Sequence, residues 1–238
     1  MKFLPLAVLL LPVLTLHAAD PAPQLAERGK LLFSDDLGAL NAKDWSVAKG
    51  KWEASDGALK GAELAADKHP GVVRHQAAFT DAIIQYDIKL DGGKMSTLSV
   101  NGAKGHICRI LVSPAGFTAQ KDDSDHDGPD VAVRFGTRPS PISPGEWHTV
   151  TAEIVGDTMV ASLDGANPIA GSHEALQQAK TNFGFTISGE TVSVRNLRVW
   201  EATAKSDAAQ IKAKLISETP KTAPANPAAR AKAAKNAR

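Results

Sequence analysis

The chain has 238 residues, with 27 Lys/Arg against 26 Asp/Glu for a formal net charge of +1, and a single cysteine, Cys108. One cysteine excludes an internal disulfide, so stability must come from a packed core. The near-neutral total hides an asymmetry: residues 203–238 hold eight basic and two acidic side chains, a formal +6, and leave a body with a balance of −6 once Lys2 is set aside.

The N-terminus reads as a secretory signal peptide over residues 1–19. Met1-Lys2 is a basic start, residues 3–16 are apolar, and His17-Ala18-Ala19-Asp20 supplies small residues for cleavage. A membrane span needs about 20 apolar residues, and Pro5 and Pro12 interrupt this run. The expectation is an exported protein, periplasmic or extracellular, with no transmembrane segment after cleavage.

Residues 21–30 suit a short helix or an extended leader. Short strand patterns follow, at 31–33, 51–53, 58–60 and 71–74, with Ser55-Asp56-Gly57 as a turn between the second and third. Residues 82–90 alternate strictly. Ile84, Tyr86, Ile88 and Leu90 face one way, and Gln85, Asp87 and Lys89 the other, which predicts a half-buried strand. Further strands are expected at 97–100, 107–112, 116–120 and 131–135. Alternation at 107–112 puts Cys108, Ile110 and Val112 on the core face, with His106 beside them and Arg109 opposite.

Residues 145–165 give the clearest local signal. A Gly-Glu-Trp entry leads into a strand at 149–155. Gly156-Asp157 turns the chain, and a second strand at 158–163 ends in Asp164-Gly165. A helix is expected at 172–179 with Ser172 as its cap. Strands at 182–187, 191–194 and 197–200 close the body. In the tail, a short helix fits 206–217, and Pro220, Pro224 and Pro227 prevent its continuation. Residues 203–238 otherwise hold too little apolar area to order and are expected to be disordered. Their charge would attract an anionic envelope polymer. The whole pattern predicts an all-β fold, an antiparallel two-sheet sandwich or jelly roll over residues 31–201.

The residues at 31–61, the Trp147 hairpin and the ending Val192-Ser193-Val194-Arg195-Asn196-Leu197-Arg198-Val199 resemble the concanavalin A-like lectin/glucanase superfamily. Within it they resemble the 3-keto-disaccharide hydrolase domain. The matching positions are Phe33, Leu37, Trp45, Trp52, Gly57, Leu59 and Gly61, then Gly145, Trp147, Leu163, Asp164, Gly165, Asn196 and Val199. The resemblance implies that Trp45, Trp52 and Trp147 are core residues. The chain departs from the family after residues 85–90. There Gly92-Gly93-Lys94-Met95 stands in place of an Asn-Ser-Gly-Ile-like segment, and Arg109 comes only after Gly105-His106.

Residues able to carry chemistry are few. Asp123, Asp125 and Asp127 with Gly128 have the spacing at which a tight loop can turn three carboxylates on a hard cation, which makes calcium or a similar ion a candidate there. An EF-hand is excluded, because its twelfth position is Arg134 and a strand follows. The alternative is a solvated acidic loop. Strand-borne carboxylates available for glycoside chemistry are Glu53, Glu63, Asp87 and Glu153. The histidines lack metal-binding spacing, and nothing resembles a nucleic-acid motif. By resemblance, Asp87 or His106 would move a proton and Arg109 would fix a hydroxyl or carbonyl. The expectation is an exported carbohydrate-active domain that hydrolyses glycosides of 3-keto sugars. The alternative is a non-catalytic carbohydrate-binding or structural envelope module, with calcium on the acidic loop.

Overall fold

The structure, a computed structural model, describes residues 20–125 and 127–221. The expected signal peptide, His126 and the end of the tail at 222–238 lie outside the described residues.

Two long strands organise the molecule, β6 (Ala82–Gly102) and β13 (Lys180–Ala204). They run antiparallel along their whole length, from Gly102 opposite Lys180 to Ala82 opposite Glu201. Phe185 lies opposite Leu98 in this register, yet its ring meets that of Tyr86 with centroids 5.0 Å apart. Tyr86 and Leu98 would be about 40 Å apart on a straight strand. The two-stranded ribbon is therefore folded over, and each strand serves both layers of a sandwich. The bend falls at Gly92-Gly93 opposite Gly189, where the register shifts and Gly92 and Gly189 have φ of 83° and 90°. A side chain on Gly93 would meet Val192 Cγ2 at 2.5 Å, so the bend needs glycine there too. Sequence reading divided both strands, because Gly-Gly in one and Gly189 in the other look like turns.

Sheet I runs β12 (Ala166–Ser172), β11 (Thr158–Leu163), β10 (Trp147–Val155), the first half of β6 and the second half of β13. β1 (Ala26–Asp35) and β4 (Ala58–Ala62) both pair with that half of β13, and β3 (Lys51–Ser55) pairs with β4. Sheet II runs β2 (Trp45–Lys49), β5 (Gly71–Phe79), the first half of β13, the second half of β6, β7 (Gly105–Ser113), β8 (Gly116–Lys121) and β9 (Val133–Pro139). Every pairing is antiparallel, and the expected two-sheet jelly roll is the fold. Ile84, Tyr86, Ile88, Leu90, Ile110 and Val112 lie between the sheets, as their alternation requires. The Gly156-Asp157 hairpin forms in the expected register, Val155 opposite Thr158.

The leader at 21–30 takes the extended of its two expected forms and runs into β1, and two other local expectations need correction. The helix expected at 172–179 is a single 3-10 turn, Glu174–Gln177, and its cap is His173, whose Nδ1 accepts from Ala175 N at 3.1 Å. Ser172 instead ends β12. Residues 203–221 are not a disordered tail: β13 continues to Ala204, and the short helix expected at 206–217 forms as α1 (Ala208–Glu218). Leu215 packs with Leu25, Val160 and Ala170. Thr219 Oγ1 accepts from Ala170 N at 2.9 Å, and Arg138 Nη2 donates to Glu218 O at 2.6 Å. The few apolar residues of this segment cannot build a core alone, but they complete one that sheet I leaves open.

One end of the sandwich is filled by rings. Phe183 is surrounded by Phe33, Trp45, His75 and Phe79, with the His75 ring stacked on it at 5.3 Å. His75 is 6% exposed, and its Nδ1 has no partner among the described residues. Burial holds its pKa below the usual histidine value, against the opposing pull of Asp44 and Asp35. An unfolded histidine titrates near 6.5. Below that pH the unfolded chain takes up a proton that the fold resists, so stability present above about pH 6.5 is lost as the pH falls toward the folded pKa. We expect the unfolding midpoint in urea to drop across this window, and a His75→Phe variant to flatten the slope. An unchanged slope in the variant would assign the acid sensitivity elsewhere.

Candidate functional site

The outer face of sheet II carries an ordered row of polar residues. Cross-strand neighbours share a face. Following the register from strand to strand gives Ser46, Arg74, Gly184, Ser99, Arg109, Gln120 and Arg134. Each sits one position out of phase with a core residue: Val73, Phe183, Leu98, Cys108 and Ala119 point inward. Gly184 must be glycine, since a Cβ would lie 2.2 Å from Val73 O. Its lack of a side chain leaves a narrow hollow floored by Val72, Arg74, Ser99, Asn101, His106 and Thr186.

Several polar atoms in this row are buried. Ser99 is 5% exposed and its hydroxyl has no partner among the described residues. Arg109 Nε lies 2.6 Å from Asp122 Oδ2, and Gln120 Nε2 donates to Asp122 Oδ1 at 3.1 Å. Asp122 is thus a buried counter-charge that holds Arg109 upright. Asn101 Nδ2 donates to Asn182 Oδ1, and Asn101 Oδ1 lies 2.7 Å from His106 Nδ1. An amide oxygen only accepts, so His106 Nδ1 carries the hydrogen and a neutral ring bears its lone pair on Nε2. Sequence reading placed His106 on the face of Cys108. A bulge between the pairs Val100–Cys108 and Asn101–His106 absorbs Ile107 and turns His106 to the outer face.

Cys108 itself is a core thiol. It is fully buried, and burial pushes its pKa up to about 12, which removes it as a nucleophile. Near it, Lys180 is also buried and donates to Thr80 O and Leu176 O, with its pKa lowered by burial.

Asp87 does not join His106 and Arg109. It lies in the first half of β6 and points out of sheet I, on the opposite outer surface of the sandwich. Its carboxylate accepts from Thr149 Oγ1 at 2.9 Å, from Asn196 Nδ2 at 2.7 Å and from Arg195 Nε at 3.3 Å. Trp147 is beside it, outside the core that the resemblance implied. Arg195 covers its ring at 4.0 Å and Lys89 at 5.2 Å. Trp45 and Trp52 are core residues as expected, and Arg28 lies over Trp200 at 4.6 Å. The other strand carboxylates are engaged. Glu53 pairs with Lys51, Glu63 accepts from Gly189 N, and Glu153 accepts from three backbone N–H groups of residues 24–26.

The acidic loop follows Asp122. Asp125 Oδ1 accepts from Asp127 N at 2.9 Å, and Asp127 Oδ1 from Gly128 N at 2.8 Å. Asp130 pairs with Lys121 and accepts from Ser124 N. Among the described residues no three metal-ligating side chains converge. Ser124 and Asp130 line an open hollow of about 600 Å³ with His173, Glu174, Gln177 and Gln178. The loop joins it to the row, since His106 N donates to Ser124 O at 2.9 Å.

No family model matches the chain, and no curated protein matches it significantly in sequence. Solved structures match in fold. A protein of unknown function with a galectin-like fold from Bacillus subtilis superposes with a TM-score of 0.58 at 15% identity, over 76% of this chain and 100% of that one. SCLam, a non-specific endo-β-1,3(4)-glucanase of family GH16, gives 0.57 at 12%, over 77% and 97%. The carbohydrate-binding module CBM66 from Bacillus subtilis gives 0.53 at 17%, over 66% and 96%. At these identities the likeness shows a shared architecture, the jelly-roll sandwich, and nothing finer.

Proposed function

We propose that the protein is an exported carbohydrate-binding module that holds its ligand on the outer face of sheet II. The observation that carries this reading is the register-locked row from Arg74 to Arg134, with the buried, unpartnered hydroxyl of Ser99 at its centre. Forked guanidinium and amide groups on a rigid sheet suit hydroxyl and carboxylate recognition. The fold's presence in both a glucanase and a binding module supports a carbohydrate ligand and leaves the chemistry to the site. Glycoside hydrolysis uses two carboxyl groups across the bond that breaks. Among the described residues the strands of this face carry none, and Asp122 beyond β8 is committed to Arg109 and Gln120.

A second reading, cleavage of 3-keto glycosides, has one observation in its favour: His106 lines the hollow, with its Nδ1 held 2.7 Å from Asn101 Oδ1. One experiment separates the two. The full chain is titrated with a panel of soluble polysaccharides and incubated with keto and ordinary disaccharides. Binding without turnover is expected, weakened about tenfold by Gln120→Ala, the equivalent of one polar contact of about 1.4 kcal/mol. Keto-sugar release faster than buffer, abolished by His106→Gln, would establish the hydrolase instead. Repeating the titration with calcium and with chelator reads the loop of Asp123, Asp125 and Asp127. A gain with calcium that Asp→Asn changes remove would assign the ion there.

A further inference from the structure

We infer that the ligand of this face is an acidic polysaccharide, its carboxylates lying along Arg74, Arg109 and Arg134. The inference rests on the carbohydrate-binding reading and adds the chemical class. Three features of the face select against a neutral glycan. The first is charge. Five cross-strand steps separate Arg74 from Arg134, about 24 Å, enough for several sugar residues in line. Only Arg109 has a carboxylate partner. Arg74 has none among the described residues, and the Nε of Arg134 is buried without an acceptor. Two arginines therefore stand unneutralised in a body whose overall balance is acidic.

The second feature is that, among the described residues, no Phe, Tyr or Trp ring stands out from this face. Phe117, Phe183 and Phe185 point into the core, and Trp147 and Trp200 lie on sheet I beneath arginines. Neutral sugars and nucleic-acid bases are commonly held by stacking on such rings. A guanidinium instead meets a carboxylate through two parallel N–H donors. Ser99 and Gln120 between the arginines would take the hydroxyls.

The third feature is the path of the described chain after α1. The Cβ position of Gly136 lies 2.6 Å from Thr219 Cγ2 and 3.3 Å from Pro220 O, so the segment after α1 passes beside β9, two residues along from Arg134. Residues 222–238 then add four basic side chains, Arg230, Lys232, Lys235 and Arg238, and no acidic one.

The test uses the full chain in affinity electrophoresis and calorimetry. The probes are polygalacturonate, alginate and fully methyl-esterified polygalacturonate, with single-stranded DNA as an unrelated polyanion. Binding to at least one acidic polymer should exceed binding to the neutral ester and to DNA by tenfold or more, and should weaken with salt. Arg74→Gln with Arg134→Gln should cost about a hundredfold and flatten the salt dependence, with the melting midpoint held. Charge-neutral substitution of Arg230, Lys232, Lys235 and Arg238 should cost less at physiological salt. Equal affinity for the acid and ester forms would overturn the inference and leave the carbohydrate-binding reading intact. So would retention only on neutral polymers of the wider panel. DNA bound as tightly as the acidic polymers, or a double variant that binds like the native chain, also overturns it. A blank across every polysaccharide would remove both readings.

Discussion

Replacing Glu153 by alanine is expected to lower the unfolding free energy by about 3–5 kcal/mol, the range for stripping the partner from a buried charged site. Glu153 lies on β10, 1% exposed, on the outer side of sheet I. Its Oε1 accepts from Gln24 N at 2.7 Å, and its Oε2 from Leu25 N at 2.8 Å and Ala26 N at 2.9 Å. Burial pushes this carboxyl above the usual glutamate range, while the three N–H groups and Lys205 pull it down. The loss in the variant comes mainly from the donors left behind without an acceptor, those of Leu25 and Ala26 buried and that of Gln24 partly so. Glu153→Gln keeps one acceptor oxygen and should fall between native and alanine. Urea unfolding of the three proteins measures the series. A Glu153→Ala loss below about 1 kcal/mol would mean that the 20–26 segment is held by other contacts.

The second large effect is expected at Phe183, which is fully buried. Phe183→Ala should cost about 3–5 kcal/mol, because deleting a large core ring leaves a cavity as well as losing its transfer free energy. The neighbours make collapse difficult. Phe33 comes from β1, Trp45 from β2, and His75 and Phe79 from β5, so the rings around the hole are fixed to three different strands. Trp200→Ala, which removes a larger ring from the surface, is the control and should cost clearly less. Comparable losses for the two would show that the cluster repacks.

The same residues show what a linear reading can reach. Alternation at 82–90 identified both faces of that strand, and the Gly156-Asp157 turn fixed its hairpin, because both signals are local. Glu153 had the right position and the wrong role. Sequence shows that it faces away from Val150, Ala152 and Ile154. It cannot show that residues 24–26, about 130 positions earlier, will cover that face. Asp87 and Arg109 looked like partners because each sits on a strand's polar side, and the family resemblance added His106 to them. The bend at Gly92-Gly93 sends Asp87 to one surface of the molecule and the other two to the opposite surface. The arginine row was invisible for the complementary reason. Arg74, Arg109 and Arg134 are far apart in the chain, and only strand register brings them into line.

The ribbon of β6 and β13 has a consequence for how the molecule comes apart and together. Its ladder joins residues about 80 to 120 positions apart, so its closure must overcome a large loop entropy before either layer gains a partner. Such non-local topologies assemble in milliseconds to seconds rather than microseconds. Both layers are built around the same two long strands, so neither can melt and leave the other standing. Protection of backbone amides from exchange should therefore fail at one common free energy along both halves of each long strand, with the bend no weaker than its flanks.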